Sequence, residues 1–282
     1  MQKEFNEEQY SVMRTAMLTA FPKIFTNIIY SSEIFNIMKD LAIEYGFSFS
    51  PDLFNNKMAI EIEARHKALS SALAKHISKD TLVVEIAAGF SPRHLEFKEY
   101  NYVEVDFKPV MEIKKQLYSA LGFNSITNRL FDADLSVSNE LETVLNKIKN
   151  TFNFKQVIIL NEGLFWYLTK TDIQNMTKTI QSSLDGTNWM WITTDCPAEK
   201  KNTEEYRKVI SNSANSKRGT FIDYNDFTEF FNTLGLSNNR FKLSDFVSFE
   251  NLSSANLFSV NKTDTINKIE SYTDIAIFKP TK

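Results

Sequence analysis

With 282 residues, 43% of them hydrophobic and 24 of them Phe, the chain can bury a large core, which excludes global disorder. Its 7 Gly and 6 Pro argue against a loop-rich all-β fold, and a formal net charge of −3 supplies no field to collect nucleic acid. The single cysteine, Cys196, excludes an intrachain disulfide framework and a thiolate zinc cluster, and His66, His76 and His94 are too widely spaced for a metal motif.

The first segments read as helices. Glu7 to Phe21 places Val12, Met13, Met17, Leu18 and Phe21 at near-helical spacing and stops at Pro22. Ser31-Ser32-Glu33 has the residue types of a helix start, and Ile34, Phe35, Met38, Leu41 and Ile43 carry an apolar stripe up to Gly46. A third helix is expected from Met58 to Ile77, with Ile60, Ile62, Leu69, Leu73 and Ile77 as its apolar positions.

At Thr81 the period changes. Thr81 to Ala88 is a short run rich in β-branched residues, suited to a strand buried on both faces. Tyr100 to Asp106 is a second such strand, followed by a helix from Pro109 to Leu121. Ser125 to Phe131 is expected as a third strand and Glu140 to Lys149 as a helix. Gln156 to Asn161 is the most hydrophobic strand, followed by a helix from Thr171 to Leu184 and a strand from Trp189 to Asp195. Strands and helices alternating at these lengths imply βαβ units and a parallel sheet. The polar stretch Ala198 to Arg218 suits an exposed helix and loop serving as a lid, with Arg218 a candidate anchor for an anionic substrate. Asp223 to Leu236 is amphipathic, and Phe241 to Phe249 with Tyr272 to Phe278 suit two strands in an antiparallel, hairpin-like finish. A single domain is expected: a helical cap over 1–78, a cofactor-binding core over 79–196, and a lid with C-terminal strands over 197–282.

The chemistry concentrates between Val83 and Asp106. In V-V-E-I-A-A-G-F-S-P-R a buried strand carrying Glu85, a candidate cofactor-binding residue, runs into a turn of small residues, Ala87, Ala88 and Gly89. Small residues there let a nucleotide-like ligand approach the backbone. Roughly 20 residues after Glu85, at the end of the next strand, Asp106 is placed to accept hydrogen bonds from both hydroxyls of a ribose. The turn has one Gly where a dinucleotide fingerprint has three, so it lacks the backbone cradle that a pyrophosphate needs. This favours S-adenosylmethionine, an adenosyl cofactor without phosphate, over NAD. Two further acidic stretches follow at strand ends, Asp132-Ala133-Asp134-Leu135 and Asn161-Glu162-Gly163. Asp134 can accept from an adenine amino group over Leu135 as an apolar floor.

These strings resemble the leucine carboxyl methyltransferase family. Y-V-E-V-D-F-K-P-V resembles its second-strand motif, D-A-D-L-S its third-strand acidic motif and N-E-G-L-F-W-Y-L its fourth-strand motif. E-A-R-H-K-A-L resembles the Arg-bearing helix before the first strand, and S-V-M-R a basic position in the first helix. The resemblance runs from Ser11 to about Ile180. It implies a Rossmann-like class I methyltransferase fold, with a mostly parallel seven-stranded sheet, helices on both faces and an N-terminal helical cap. It further implies that Arg65 and Arg14 hold the cofactor carboxylate, that Gly89 and its neighbours pass beneath the methionine moiety, and that Glu162 meets the methionine ammonium. Asp106 would bind the ribose, Asp134 and Leu135 the adenine, and Tyr167 would face the acceptor.

Two positions depart from the family pattern. Ala87 stands where Gly is common, and Ser136 stands where leucine carboxyl methyltransferases carry an Arg suited to a substrate carboxylate. The expectation is therefore an O-methyltransferase acting on a carboxylate or hydroxyl of a small molecule. A protein C-terminal carboxyl methyltransferase and a catalytically silent cofactor-binding protein are the alternatives. If the acceptor is a hydroxyl, Tyr167, His66 and Asp195 are the candidate bases. No run approaches the roughly 18 apolar residues of a spanning helix, and the acidic, polar start shows no secretory signal, so a cytoplasmic protein is expected.

Overall fold

The computed structural model describes residues 7–44, 56–198, 224–270 and 273–281. Three helices come first, α1 (Glu7–Ala20), α2 (Ser31–Glu44) and α3 (Asn56–Ala74). α1 gives way to a tight 3-10 turn, Phe21–Phe25, where Pro22 cannot supply a backbone donor. β1 (Thr81–Ile86), β2 (Asn101–Asp106), β3 (Leu130–Asp132), β4 (Gln156–Asn161) and β5 (Asn188–Pro197) then alternate with α4 (Arg93–Glu96), α5 (Lys108–Ala120), α6 (Ser138–Thr151) and α7 (Lys170–Ser183). α8 (Tyr224–Thr233), β6 (Leu236–Phe241), α9 (Ser253–Leu257), α10 (Lys262–Ile269) and β7 (Thr273–Pro280) complete the chain.

The seven strands form one sheet in the order β3-β2-β1-β4-β5-β7-β6. The first five are parallel, and β7 runs antiparallel to both β5 and β6. The chain leaves β1 toward one edge and returns at β4 toward the other, so the switch point of the topology lies between β1 and β4. Ligands of open α/β sheets bind beyond the strand ends at such a point.

Side-chain alternation sorts the two faces. Leu82, Val84, Ile86, Val103, Val105, Val157 and Ile159 pack with Leu141, Leu145 and Ile148 of α6 and Ile173, Met176 and Ile180 of α7. On the other face Val83, Tyr102, Ile158 and Ile192 meet Ile60, Ala64, Leu69 and Leu73 of α3. The cap closes against α5 through Met13, Met17, Phe35 and Met38, which contact the cluster of Val110, Met111, Ile113 and Leu117. Period 2 and the pairing of Glu85 with Glu104 put Glu85, Glu104 and Asp106 on this second side, beneath helices. Buried acids there need partners.

The expected third strand shrinks to Leu130–Asp132. Asn124–Arg129 is instead a 3-10 turn, in which the Thr127 hydroxyl donates to the Asn124 carbonyl at 2.9 Å. Such local bonds compete with a sheet ladder. At the C-terminal end the first of the two expected strands is also displaced. Leu236–Phe241 is the strand, and Phe241 to Phe249 runs on into a 3-10 turn at Leu243–Asp245. Its sequence, L-S-N-N-R-F, escapes a hydrophobic pattern because it is an edge strand with only Leu236 fully buried. β6 and β7 pair antiparallel, but α9 and α10 separate them, so they are not a hairpin. Residues 199–218 of the expected lid, Arg218 included, lie outside the described residues. Among the described residues no helix is long and apolar enough to cross a membrane.

Candidate active site

The turn after β1 is held by the tip of β2. Ala87 and Gly89 both have positive φ, 52° and 48°. The Gly89 N–H donates to Asp106 Oδ2 at 2.6 Å, and the Phe107 N–H donates to Oδ1 at 2.7 Å. An added Cβ at Gly89 would approach only the Ala16 Cβ, at 4.0 Å, so conformation and not space favours glycine there. Burial pushes the Asp106 carboxyl up to about 6, against the pull of its two backbone donors. Each oxygen has so far accepted one bond, which leaves acceptor capacity on both for a vicinal diol.

A charge cluster fills the space between β1 and β4. Arg93, completely buried on α4, donates to Glu85 Oε1 and reaches Glu162 Oε2 at 2.8 Å. Its Nε donates to the Ser70 hydroxyl at 3.2 Å, and the same terminal nitrogen that reaches Glu162 lies 3.1 Å from His66 Nδ1. Tyr102 completes the Glu85 carboxylate with a hydroxyl bond of 2.6 Å. His66 Nε2 stands 2.6 Å from Glu96, so the ring accepts at Nδ1 and donates at Nε2 as a neutral imidazole. Its burial lowers its affinity for a second proton.

Glu162 is the hub. Arg65 lies 3.5 Å from its Oε1, and Lys23 is also in its field. Burial alone would raise the Glu162 carboxyl, but Arg93, Arg65 and Lys23 together draw it down to about 2. Burial lowers the Lys23 ammonium to about 8, with Glu162 opposing the fall. The result is an ionised carboxylate ringed by cations. That arrangement could take both ends of a zwitterionic amino acid. Tyr167 ends the 3-10 turn Phe165–Tyr167 beyond β4, is hydrogen-bonded to Thr15, and has its hydroxyl pKa raised by burial.

Arg65, Ala87, Gly89, Asp106, Glu162 and Tyr167 thus gather along the strand ends and the helices over them. Glu85 belongs to the same cluster, but its carboxylate is committed to Arg93 and Tyr102, so it is placed as a buried counter-ion. Asp134 is partly exposed beyond β3 and accepts from the Ser136 amide at 2.9 Å and the Ser136 hydroxyl at 2.6 Å. Leu135 is buried in the core on the α6 side. Arg14 is exposed on α1, and among the described residues no ion pair joins it to Glu162. Two candidate bases are corrected. His66 and Asp195 are 0% and 2% exposed, and each is spent on internal partners.

Sequence reasoning missed Arg93 and Lys23. Arg93 had a signal, because Glu85 in the middle of a buried strand demands a cation within a short chain distance. Lys23 had none: a lysine after Pro22 reads as a solvated turn. A cleft of about 600 Å³, lined in part by Ser70, opens between α3 and the turns around Phe246–Asn256. Its Lys67 is already engaged by Glu63 and the Asn251 carbonyl.

The family model of leucine carboxyl methyltransferase matches residues 40–181, half of the chain. The chain belongs to that family. No curated protein matches it by sequence. Among solved structures, a proposed methyltransferase from Thermobifida fusca YX shares 11% identity at a TM-score of 0.56, covering 94% of this chain and 95% of its own. A DUF574 family protein from Streptomyces avermitilis MA-4680 shares 12% identity at a TM-score of 0.51, covering 93% and 97%. Both likenesses concern the fold, which is that of class I methyltransferases. This leucine carboxyl methyltransferase family member is an S-adenosylmethionine-dependent methyltransferase. Its residues fit the cofactor: a carboxylate at β2 with capacity for a diol, no pyrophosphate cradle, and cations around an ionised acid at β4.

Proposed function

We propose that the protein methylates an oxygen, carboxylate or hydroxyl, of a small organic acceptor, acting as one domain over residues 1–282. S-adenosylmethionine supplies an electrophilic methyl on a positively charged sulfur. The chain's own residues bind and orient. Asp106 takes the ribose hydroxyls, and Asp134 takes the adenine amino group with Leu135 beneath it. The small turn Ala87–Gly89 lets the ligand lie against the backbone. Glu162 takes the amino acid's ammonium, while Arg65, with Lys23 and Arg14, takes its carboxylate. Alignment of acceptor, methyl and sulfur is the main catalytic contribution of such a site.

The observation that carries the acceptor class is the commitment of the buried acids and imidazole nearest the site. Glu85, Glu96, Asp195 and His66 all have internal partners. Tyr167 holds its proton more tightly than a free phenol and so acts as a hydrogen-bond donor to the acceptor. An acceptor that arrives already ionised, a carboxylate or an acidic phenol, needs no base. Ser136, spent on Asp134, offers no cation for a peptide C-terminus, which favours a small molecule over a protein.

The test uses methyl-labelled S-adenosylmethionine with a panel of small carboxylic acids, phenols and leucine-ending peptides. Label released as volatile methanol by mild alkali marks an ester, and label retained marks an ether. Transfer to nitrogen or carbon acceptors alone would overturn the proposal, as would binding without transfer to any acceptor.

A further inference from the structure

Glu162 and Tyr167 sit on a loop that belongs to no strand. β4 ends at Asn161, the backbone turns at Gly163 with φ 77°, and the 3-10 turn begins at Phe165. The Asp195 side chain secures the backbone of this loop. Asp195 Oδ1 accepts from the Gly163 N–H at 2.6 Å. Asp195 Oδ2 accepts from the Leu164 and Phe165 N–H groups at 2.7 and 2.9 Å, and from the Asn161 side-chain amide at 2.6 Å. The Asn161 amide is itself oriented by the Trp191 indole N–H, which donates to its Oδ1 at 2.6 Å.

The strand that carries Asp195 is shaped for this. β5 changes register against β7 between Thr193 and Cys196, and the Thr193 hydroxyl accepts from the Asp195 N–H at 3.0 Å inside that irregularity. Bulges of this kind re-aim a side chain next to a site. A fully buried carboxylate is costly unless its oxygens are hydrogen-bonded, and here four donors converge on it.

We propose that Asp195 is a positioning residue for the amino acid end of the cofactor, clamping Gly163–Phe165 so that Glu162 is held against Arg65 and Arg93. The proposal rests on the reading that Glu162 takes the cofactor's ammonium. Asp195 does not touch the cofactor in this account; it acts through the loop. Asp195→Asn keeps the shape but turns an amide NH2 toward one of the backbone N–H donors, which is repulsive. Its oxygen can still serve the donors on the other side.

The experiment is titration calorimetry with S-adenosylhomocysteine and with 5′-methylthioadenosine, which lacks the amino acid. Asp195→Asn is expected to weaken S-adenosylhomocysteine about tenfold, the scale of one buried bond to a charged group, while 5′-methylthioadenosine changes less than about twofold. Trp191→Phe, which removes the bond that orients Asn161 together with part of the ring packing against Phe165, Phe231 and Phe278, should shift S-adenosylhomocysteine in the same direction by a smaller factor, again with 5′-methylthioadenosine changed less. It serves alone if Asp195→Asn does not fold. Equal weakening of both ligands would mean a general loosening and would overturn the proposal, as would unchanged S-adenosylhomocysteine binding. A wild-type protein that binds neither ligand would overturn the cofactor assignment itself.

Discussion

Arg93→Met removes the cation at the centre of the site and keeps most of its side-chain volume. In the native chain Arg93 is 0% exposed and holds Glu85, whose side chain is 2% exposed, and Glu162, at 12%. Burial would lower the Arg93 pKa, but Glu85 and Glu162 raise it above its ordinary value, so the guanidinium stays charged at any working pH. After substitution Glu85 keeps only the Tyr102 hydroxyl, and Glu162 keeps Arg65 at 3.5 Å and the more distant Lys23. Stranding a buried charge in this way costs about 3–5 kcal/mol. At about 2–4 °C per kcal/mol for a chain of this size, the melting temperature should fall by roughly 10 °C. Urea unfolding followed by tryptophan fluorescence, with a thermal melt by circular dichroism, measures the loss. The double variant Arg93→Met/Glu85→Gln neutralises the stranded acid and should recover a substantial part of it. A loss below about 1 kcal/mol for Arg93→Met, or a double variant as unstable as the sum of the singles, would refute the reasoning.

The Asp106 carboxyl, raised by burial from an ordinary 3.8 to about 6, makes two pH effects. Its contribution to the stability of the free protein is present below 3.8 and lost as pH rises through about 6. A ligand that donates to the carboxylate favours its ionised form, so 5′-methylthioadenosine should bind up to about tenfold more weakly per pH unit below 6 and evenly above it. Asp106→Asn should flatten that profile, and a flat wild-type profile between about pH 5 and 7 would contradict the assignment. Ala87, at φ 52°, carries left-handed strain of about 1 kcal/mol. Ala87→Gly should therefore leave the melting temperature unchanged or slightly raised, because glycine's greater unfolded freedom offsets part of the relief. Ala87→Val should lower it by several degrees, and a stable Val variant would show that the turn is not constrained.

Much of this arrangement is legible from residues alone, for specific reasons. Thr81–Ile86 and Gln156–Asn161 are buried on both faces, so their apolar runs stand out, and Asp106 is fixed by its distance from Glu85. β6 leaves no such mark, because an edge strand needs few apolar residues. Ser125 to Phe131 misleads because Ile126, Leu130 and Phe131 are all buried, but Ile126 enters the core from a 3-10 turn. At the site, charges were legible one by one and their pairing was not. Glu85 reads as a ligand until Arg93 is seen against it, and Asp195 reads as a base until the Gly163–Phe165 amides are seen around it. Only the second pairing is long-range: Asp195 and its loop are about 30 residues apart, whereas Arg93 follows Glu85 by 8 and its pairing turns on the geometry of the intervening turn.

The central claim is a seat for S-adenosylmethionine at the strand ends around Asp106. Titration of the purified protein with S-adenosylmethionine, beside Asp106→Ala and with NAD as a control, tests it most directly. The account predicts one binding site per chain, weakened about 10–100-fold by Asp106→Ala through loss of two bonds to a charged acceptor, and no heat with NAD. Undiminished binding by Asp106→Ala, or binding of NAD in place of S-adenosylmethionine, would contradict it.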